Sequence, residues 1–295
     1  MRLSEISTSL KAVVIRDSEF QNLGFFFDGL PGSLVFVEGR MFVPAARKAR
    51  GATCILCTPE LTSSFPDVAG LAACAEPRIA FFHLQKFLAE ETDFYGVPFP
   101  AEIDRSARIH PRASIAPRNV RIGPETIVDE NAVIGEGTSI GGRVHIRAGA
   151  VLGAEGFQTA RYPGGLLQMA HAGGLCVKDN VEVFANAVIA RAVFRQMTTL
   201  GQHSRIGNGA FVSHNVQLGS RCFVGHNSTI NGNTTVGDDV WIGPNATISN
   251  LLRVGDRSRI SLGAVVIQSL PADTHVTGMT AIEHRRMLRH VASIG

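Results

Sequence analysis

Many common functional signals are missing from this chain. Only 18% of its 295 residues are charged and the formal net charge is +3, too mild to argue for a nucleic-acid partner. No run of about 18 uninterrupted apolar residues occurs, so no membrane span is expected. The opening stretch "MRLSEISTSLKAVVIRDSEF" lacks a compact apolar segment and a small-residue cleavage site. The five cysteines (Cys54, Cys57, Cys74, Cys176, Cys222) are odd in number and scattered. They fit a reducing cytoplasm better than a disulfide framework.

Metal and phosphate motifs are absent too. "CILC" at 54–57 lies in the strand-like run "ATCILCT", where residues three apart point to opposite faces. A buried strand explains it better than a redox or zinc site. His145, His171, His203 and His214 share no ligand spacing, so no metal site is expected. "IGEGTSIGG" at 134–142 only superficially resembles a phosphate loop, because its glycines keep a six-residue rhythm.

That rhythm is the chain's dominant signal. Ile103, Ile109 and Ile115 are six apart. After a one-residue slip come Ile122, Val128, Ile134, Ile140, Ile146 and Leu152. The rhythm lapses over 153–174 and resumes at Val177, Val183 and Ile189. From Leu200 it runs through twelve successive positions to Val266. Such a period fits neither an α-helix nor an alternating strand, and marks a hexapeptide β-helix. Three hexapeptides close one triangular coil, so about eight to ten coils are expected, stacked on a continuous apolar axis.

The chain thus divides into three parts. Residues 1–100 read as a small α/β domain, with strands at "SLVFVEG", "GATCILCT" and "RIAFF" and helices at "RMFVPAARKARG" and "HLQKFLAEET". Residues 101–270 form the repeats, interrupted by a Gly-rich functional loop at 153–174. Residues 271–295 end in a short basic helix, "TAIEHRRMLRHVASI".

Within the repeats, His214 is set apart by its company. It stands at an outward turn with Asn208, Ser213 and Asn215 nearby, whereas His226 has no such neighbours and reads as an ordinary surface residue. In the first domain, Phe36 and Phe42 flank the turn-like Glu38-Gly39-Arg40. They are either core residues or a pair that sandwiches a nucleobase.

"SLVFVEGRMFVPAARKARGATCILC", the loop "VLGAEGFQTA" and the run "TTLGQHSRIGNGAFVSHNVQLG" together resemble the UDP-3-O-acylglucosamine N-acyltransferases of lipid A biosynthesis, over about residues 1–285. The resemblance implies a left-handed parallel β-helix, a homotrimer, and active sites between neighbouring subunits. It implies that His214 is the general base and that Asn208 organises the same pocket. Phe157 then lines the substrate cleft, Phe36 and Phe42 stack on uracil, and Arg191 joins the substrate-binding set.

No bound cofactor is implied. The acyl group comes from a thioester co-substrate, either acyl-carrier protein with its phosphopantetheine arm or acyl-CoA. Three departures bear on that donor. Leu251 stands where the family carries a second histidine, Gly207 replaces an acidic residue, and the C-terminal helix is short. "IARA" at 189–192 also keeps the family's arginine but loses its aspartate. The expected activity is acyl transfer to the amine of a UDP-linked amino sugar. Acetyl-CoA-dependent modification of a nucleotide sugar and a catalytically silent, sugar-nucleotide-binding β-helix are the alternatives.

Overall fold

The computed structural model describes residues 1–278 together with Arg285, Arg289, Ala292 and Ser293. The helix expected at "TAIEHRRMLRHVASI" lies largely outside the described residues.

The N-terminal part is a five-stranded sheet. Its strands are β1 (Val13–Arg16), β2 (Asn22–Leu23), β3 (Ser33–Val37), β4 (Ala52–Cys57) and β5 (Gly70–Ala73), in the order β1-β5-β4-β3-β2. All neighbours are parallel except β1, which runs antiparallel to β5 at the edge. Alternation along β3 and β4 sends side chains into two cores. Leu34, Cys54 and Leu56 pack on one face, and Val35, Val37, Ile55 and Cys57 on the other. The "CILC" cysteines are therefore buried packing residues on opposite sides of the sheet, all free thiols.

Two readings of this part need correction. "RIAFF" is not a strand; it is the first half of helix α3 (Pro77–Glu90), after α1 (Leu3–Ile6) and α2 (Val43–Arg47). Pro77 at the first helical position suits the helix N-terminus, and Phe81, Phe82, Leu84, Gln85 and Leu88 form its buried face. β1, β2 and β5, all short, flank the two recognised strands and complete the sheet without having been read from the sequence.

Beyond residue 100 the chain winds into three parallel sheets of nine, eight and eight short strands. Each apolar residue of the rhythm faces inward. Ile206, Val212, Ile230, Ile242, Ile248 and Ile260 are wholly inaccessible. Burying each such side chain stabilises the prism by about 1.5–3 kcal/mol. Stacking keeps register: Arg205, Phe223, Trp241 and Arg259 lie over one another, as do Ile206, Val224, Ile242 and Ile260. The last paired strand, His275–Val276, extends the coil slightly past residue 270.

The corners explain the polar half of each hexapeptide. Turning requires a left-handed residue, and Asn215, Arg221, Asn227, Asn233, Asp239, Asn245, Leu251 and Arg257 all take φ between 53° and 61°. Asn and Asp tolerate this conformation best, which accounts for their recurrence. Leu251 is an unusual occupant of such a corner.

The 153–174 excursion is more ordered than a loop. It contains an antiparallel hairpin, Thr159–Tyr162 with Gly165–Gln168. Its Ala160 and Met169 pack into the same core as Phe81, Phe82 and Leu88 of α3. The buried Gln85 of α3 donates to the carbonyls of Ala170 (3.0 Å) and Val193 (3.1 Å). The excursion thus fastens the first domain to the coil.

Candidate active site

His214 follows the strand Phe211–Val212, at a corner whose backbone is fixed on several sides. Ser213 N–H donates to Ile230 O (2.9 Å), and Asn233 N–H donates to His214 O (3.0 Å). Asn215 carries the left-handed turn. Its N–H donates to Thr198 Oγ1 (2.9 Å), while its side chain accepts from Val193 N–H (3.0 Å) and donates to Gln196 (2.6 Å).

The ring is not solvated: His214 is only 8% exposed, because the excursion folds over it. Glycine makes the fit possible on both sides. A Cβ on Gly232, on the next coil, would come within 2.5 Å of Nε2. One on Gly156, in the excursion, would come within 2.8 Å of Nδ1. Ser213 Oγ lies 3.2 Å from Nδ1.

A second imidazole stands beside it. His171, 1% exposed, packs edge-on to His214 with ring centroids 5.5 Å apart. Its Nδ1 donates to Met169 O (3.2 Å) and its Nε2 accepts from Gly156 N–H (3.1 Å). Those two bonds require a neutral ring. Burial lowers the pKa of His171 and, with a further contribution from His171, pushes His214 down to about 4.

His214 opens onto a pocket of about 480 Å³ that the first domain completes. Phe36, Phe42, Phe157, Glu38, Arg78 and Asn231 are among its walls. Phe36 is wedged against Phe25, Phe81 and Phe82, whereas Phe42 is half-buried and touches Phe26 at 5.9 Å. Arg78 pairs with Glu38 and stands over the Phe36 ring. Phe157, on the excursion, is 90% exposed.

Four sequence-derived candidates therefore converge: His214, Phe36, Phe42 and Phe157. Two do not. Asn208 is exposed at a different corner, where its N–H donates to His226 Nδ1 (3.1 Å). The reason is geometric: six residues carry the chain to the next corner. Arg191 lies on a separate cavity of about 1210 Å³, bonded to Glu155 (3.2 Å). His171, which also lines that larger cavity, had no sequence signal beyond its place in the excursion. Gly232 had one: it is a full coil after His214. Among the described residues, no three His, Cys, Asp or Glu side chains are grouped to hold a metal, and no helix is long and apolar enough to cross a membrane.

A hexapeptide β-helix that buries a histidine against an aromatic pocket defines the architecture: a hexapeptide-repeat solenoid. The family model "Bacterial transferase hexapeptide (six repeats)" matches residues 197–232, and "Hexapeptide repeat of succinyl-transferase" matches 215–250. A UDP-3-O-acylglucosamine N-acyltransferase of Caulobacter sp. (strain K31) is 37% identical over 162 residues, covering 55% of this chain and 47% of the relative. One from Coxiella burnetii (strain Dugway 5J108-111) is 26% identical over 250 residues, covering 73% and 70%. The structure of a UDP-N-acetylglucosamine acyltransferase from Campylobacter jejuni superposes with a TM-score of 0.52 at 17% identity, over 66% of this chain and 81% of that one. That likeness concerns the fold, a left-handed parallel β-helix. The chain is thus similar, as a divergent relative, to UDP-3-O-acylglucosamine N-acyltransferases over part of its length. It spans about half the length of the first of these relatives.

Proposed function

We propose that this protein is an N-acyltransferase that moves an acyl group from a thioester to the amine of a UDP-linked amino sugar, with His214 as general base. One observation carries the reading: His214 and the aromatic walls of the first domain share a single pocket. Phe42 and Phe36 offer faces for a nucleobase, with Phe157 at the mouth, so the sugar extends toward His214. Asn208 and Arg191 lie outside this pocket, and any part they take in binding is indirect or at a subunit boundary.

The neutral amine attacks the thioester carbonyl, forming the C–N bond. His214 removes the proton that the nitrogen then carries. Collapse of the adduct breaks the C–S bond, and the departing thiolate takes up that proton, leaving the amide and a thiol. Much of the acceleration comes from holding two substrates in one geometry, which a rigid coil does well.

The test is turnover on UDP-amino sugars with acyl-carrier protein and with acetyl- and longer acyl-CoA side by side. His214→Ala should lose roughly 10²–10⁴ in rate, and His226→Ala should stay near native. Nucleotide binding without turnover from any donor would favour a silent binding protein. The reading includes a homotrimer, a symmetric way to cover the prism's outer faces; a fully active monomer in sedimentation would remove that part.

A further inference from the structure

The family's second histidine is absent from its expected place, where Leu251 forms a half-exposed corner. A second imidazole nevertheless reaches His214 from elsewhere in the chain. His171 comes from the excursion, 43 positions upstream of His214, and is almost wholly buried against it. Its hydrogen bonds are specific: Nδ1–H to Met169 O fixes the tautomer, and Nε2 then has only a lone pair to offer Gly156 N–H. Gln168 holds the same residue from the other side, donating to Gly156 O at 2.8 Å.

Gly156 is the piece that touches His214. It covers Nδ1 while Gly232 covers Nε2, so the ring sits in a slot with one wall from the coil and one from the excursion. The coil wall is rigid. The excursion wall is set at Gly156 by the hydrogen bonds of His171 and Gln168.

We propose that His171 is the positioning residue of His214: by latching Gly156 across the ring, it holds the imidazole in its slot at the pocket wall. This rests on His214 being the base. His171 itself neither touches substrate nor gains a proton, since protonation at Nε2 would set one N–H against another. Its own charged neighbours are Glu155 and Arg191, while Glu38 and Arg78 are the charged groups on the pocket side of His214. Among the described residues no carboxylate bonds either ring, so the latch works by shape and a neutral hydrogen bond.

The experiment compares the full-length native protein with His171→Leu, which fills space but cannot accept from Gly156, and His171→Gln, whose amide oxygen can. Imidazole ¹⁵N NMR reads the titration of His214 in each. In the native protein the ring should remain neutral down to about pH 4. In His171→Leu the freed wall lets water reach the ring, and the midpoint should rise by about one unit or more toward the ordinary histidine value. His171→Gln should keep it within about half a unit of native. In turnover, His171→Leu should lower kcat roughly 10–100-fold, as misplacement of a catalytic group does, and leave the nucleotide KM within about twofold. His171→Gln should recover most of kcat.

An unchanged His214 midpoint and kcat in a folded His171→Leu protein would overturn the proposal. If that variant fails to fold, Gly156→Ala replaces it, since its Cβ enters the gap between the rings (2.8 Å from His214 Nδ1, 3.0 Å from His171 Nε2) and should shift His214 in the same direction. A native protein without acyl transfer would refute the proposed function alone, because the NMR titration still decides the latch.

Discussion

Gly232→Ala tests the slot around His214 most directly. Gly232 does not use a left-handed conformation, so alanine is acceptable to its backbone. Its Cβ, however, would lie 2.5 Å from His214 Nε2, 2.8 Å from Cε1 and 3.0 Å from Cδ2. A long flexible side chain would simply step aside. This ring cannot, because Gly156 closes the opposite face and Ser213 meets Nδ1. Something must therefore move: the ring, the excursion or the corner.

Overpacking of this kind costs about 1–3 kcal/mol. Displacing a base by even 1 Å lowers the rate by roughly 10²-fold. Urea unfolding gives the first quantity and kcat the second. The cause can be isolated with a double mutant: in a His214→Ala background the added methyl meets empty space, so its stability cost should fall below about 0.5 kcal/mol. A Gly232→Ala protein with native stability and turnover would show that His214 is not confined. A penalty that persists without the ring would place the strain in the corner.

Acidification should weaken the fold through the same ring. Unfolded, His214 binds a proton near its ordinary value of 6.5; folded, it resists to about 4, so stability is intact above about pH 6.5 and falls as pH drops toward 4. The full loss is about 3 kcal/mol, and His214→Gln should abolish that portion of the pH slope in urea unfolding. The acid limb of kcat/KM belonging to the base should lie near pH 4 rather than near neutrality, as the ordinary value for histidine would have placed it. Phe42→Ala should weaken UDP binding by about 1–3 kcal/mol in calorimetry with little effect on melting. Phe36→Ala, which empties a site packed by three rings, should cost about 3–5 kcal/mol of stability as well. Equal effects of the two would refute this division of roles.

The repeat was legible because its physics is local and repeated: one inward aliphatic residue and one permissive corner every six positions. Where the slip occurs, Ile115 to Ile122, the register confirms it, since Ile115 pairs with Ile134 and Ile122 with Ile140. "RIAFF" was not legible, because five residues are too few to separate a helical from a strand period. The site was legible in part. His214 and the three phenylalanines stand out by type and setting, but the burial of His214 is a tertiary fact. Its corner points outward on the coil, and the docked excursion closes over it from the other side.

That docking depends on Gln85, and the dependence can be tested. Gln85 is fully buried in α3 and uses its whole amide: Nε2 donates to Ala170 O and Val193 O, and Oε1 accepts from Tyr95 O–H. One of those carbonyls belongs to the residue before His171, and the other to the residue whose N–H bonds Asn215. A single side chain of the first domain thus holds the excursion and the coil next to His214. Gln85→Leu preserves volume and helix propensity but leaves two carbonyls and a hydroxyl without their partner. Each unsatisfied buried group costs about 1–3 kcal/mol, so the total should be several kcal/mol unless the excursion lifts to let water in. Lifting would relieve the strain but free the wall over His214. Gln85→Met should behave alike, whereas Gln85→Glu, which keeps only the acceptor, should be worse because it buries a charge. The measurements are urea stability, kcat, and limited proteolysis at the exposed hairpin tip near Gly164 and Gly165. If Gln85→Leu kept native stability, turnover and protease resistance, the coupling of the first domain to His214 through this amide would be wrong, and the aromatic contacts of Ala160 and Met169 with α3 would have to hold the excursion by themselves.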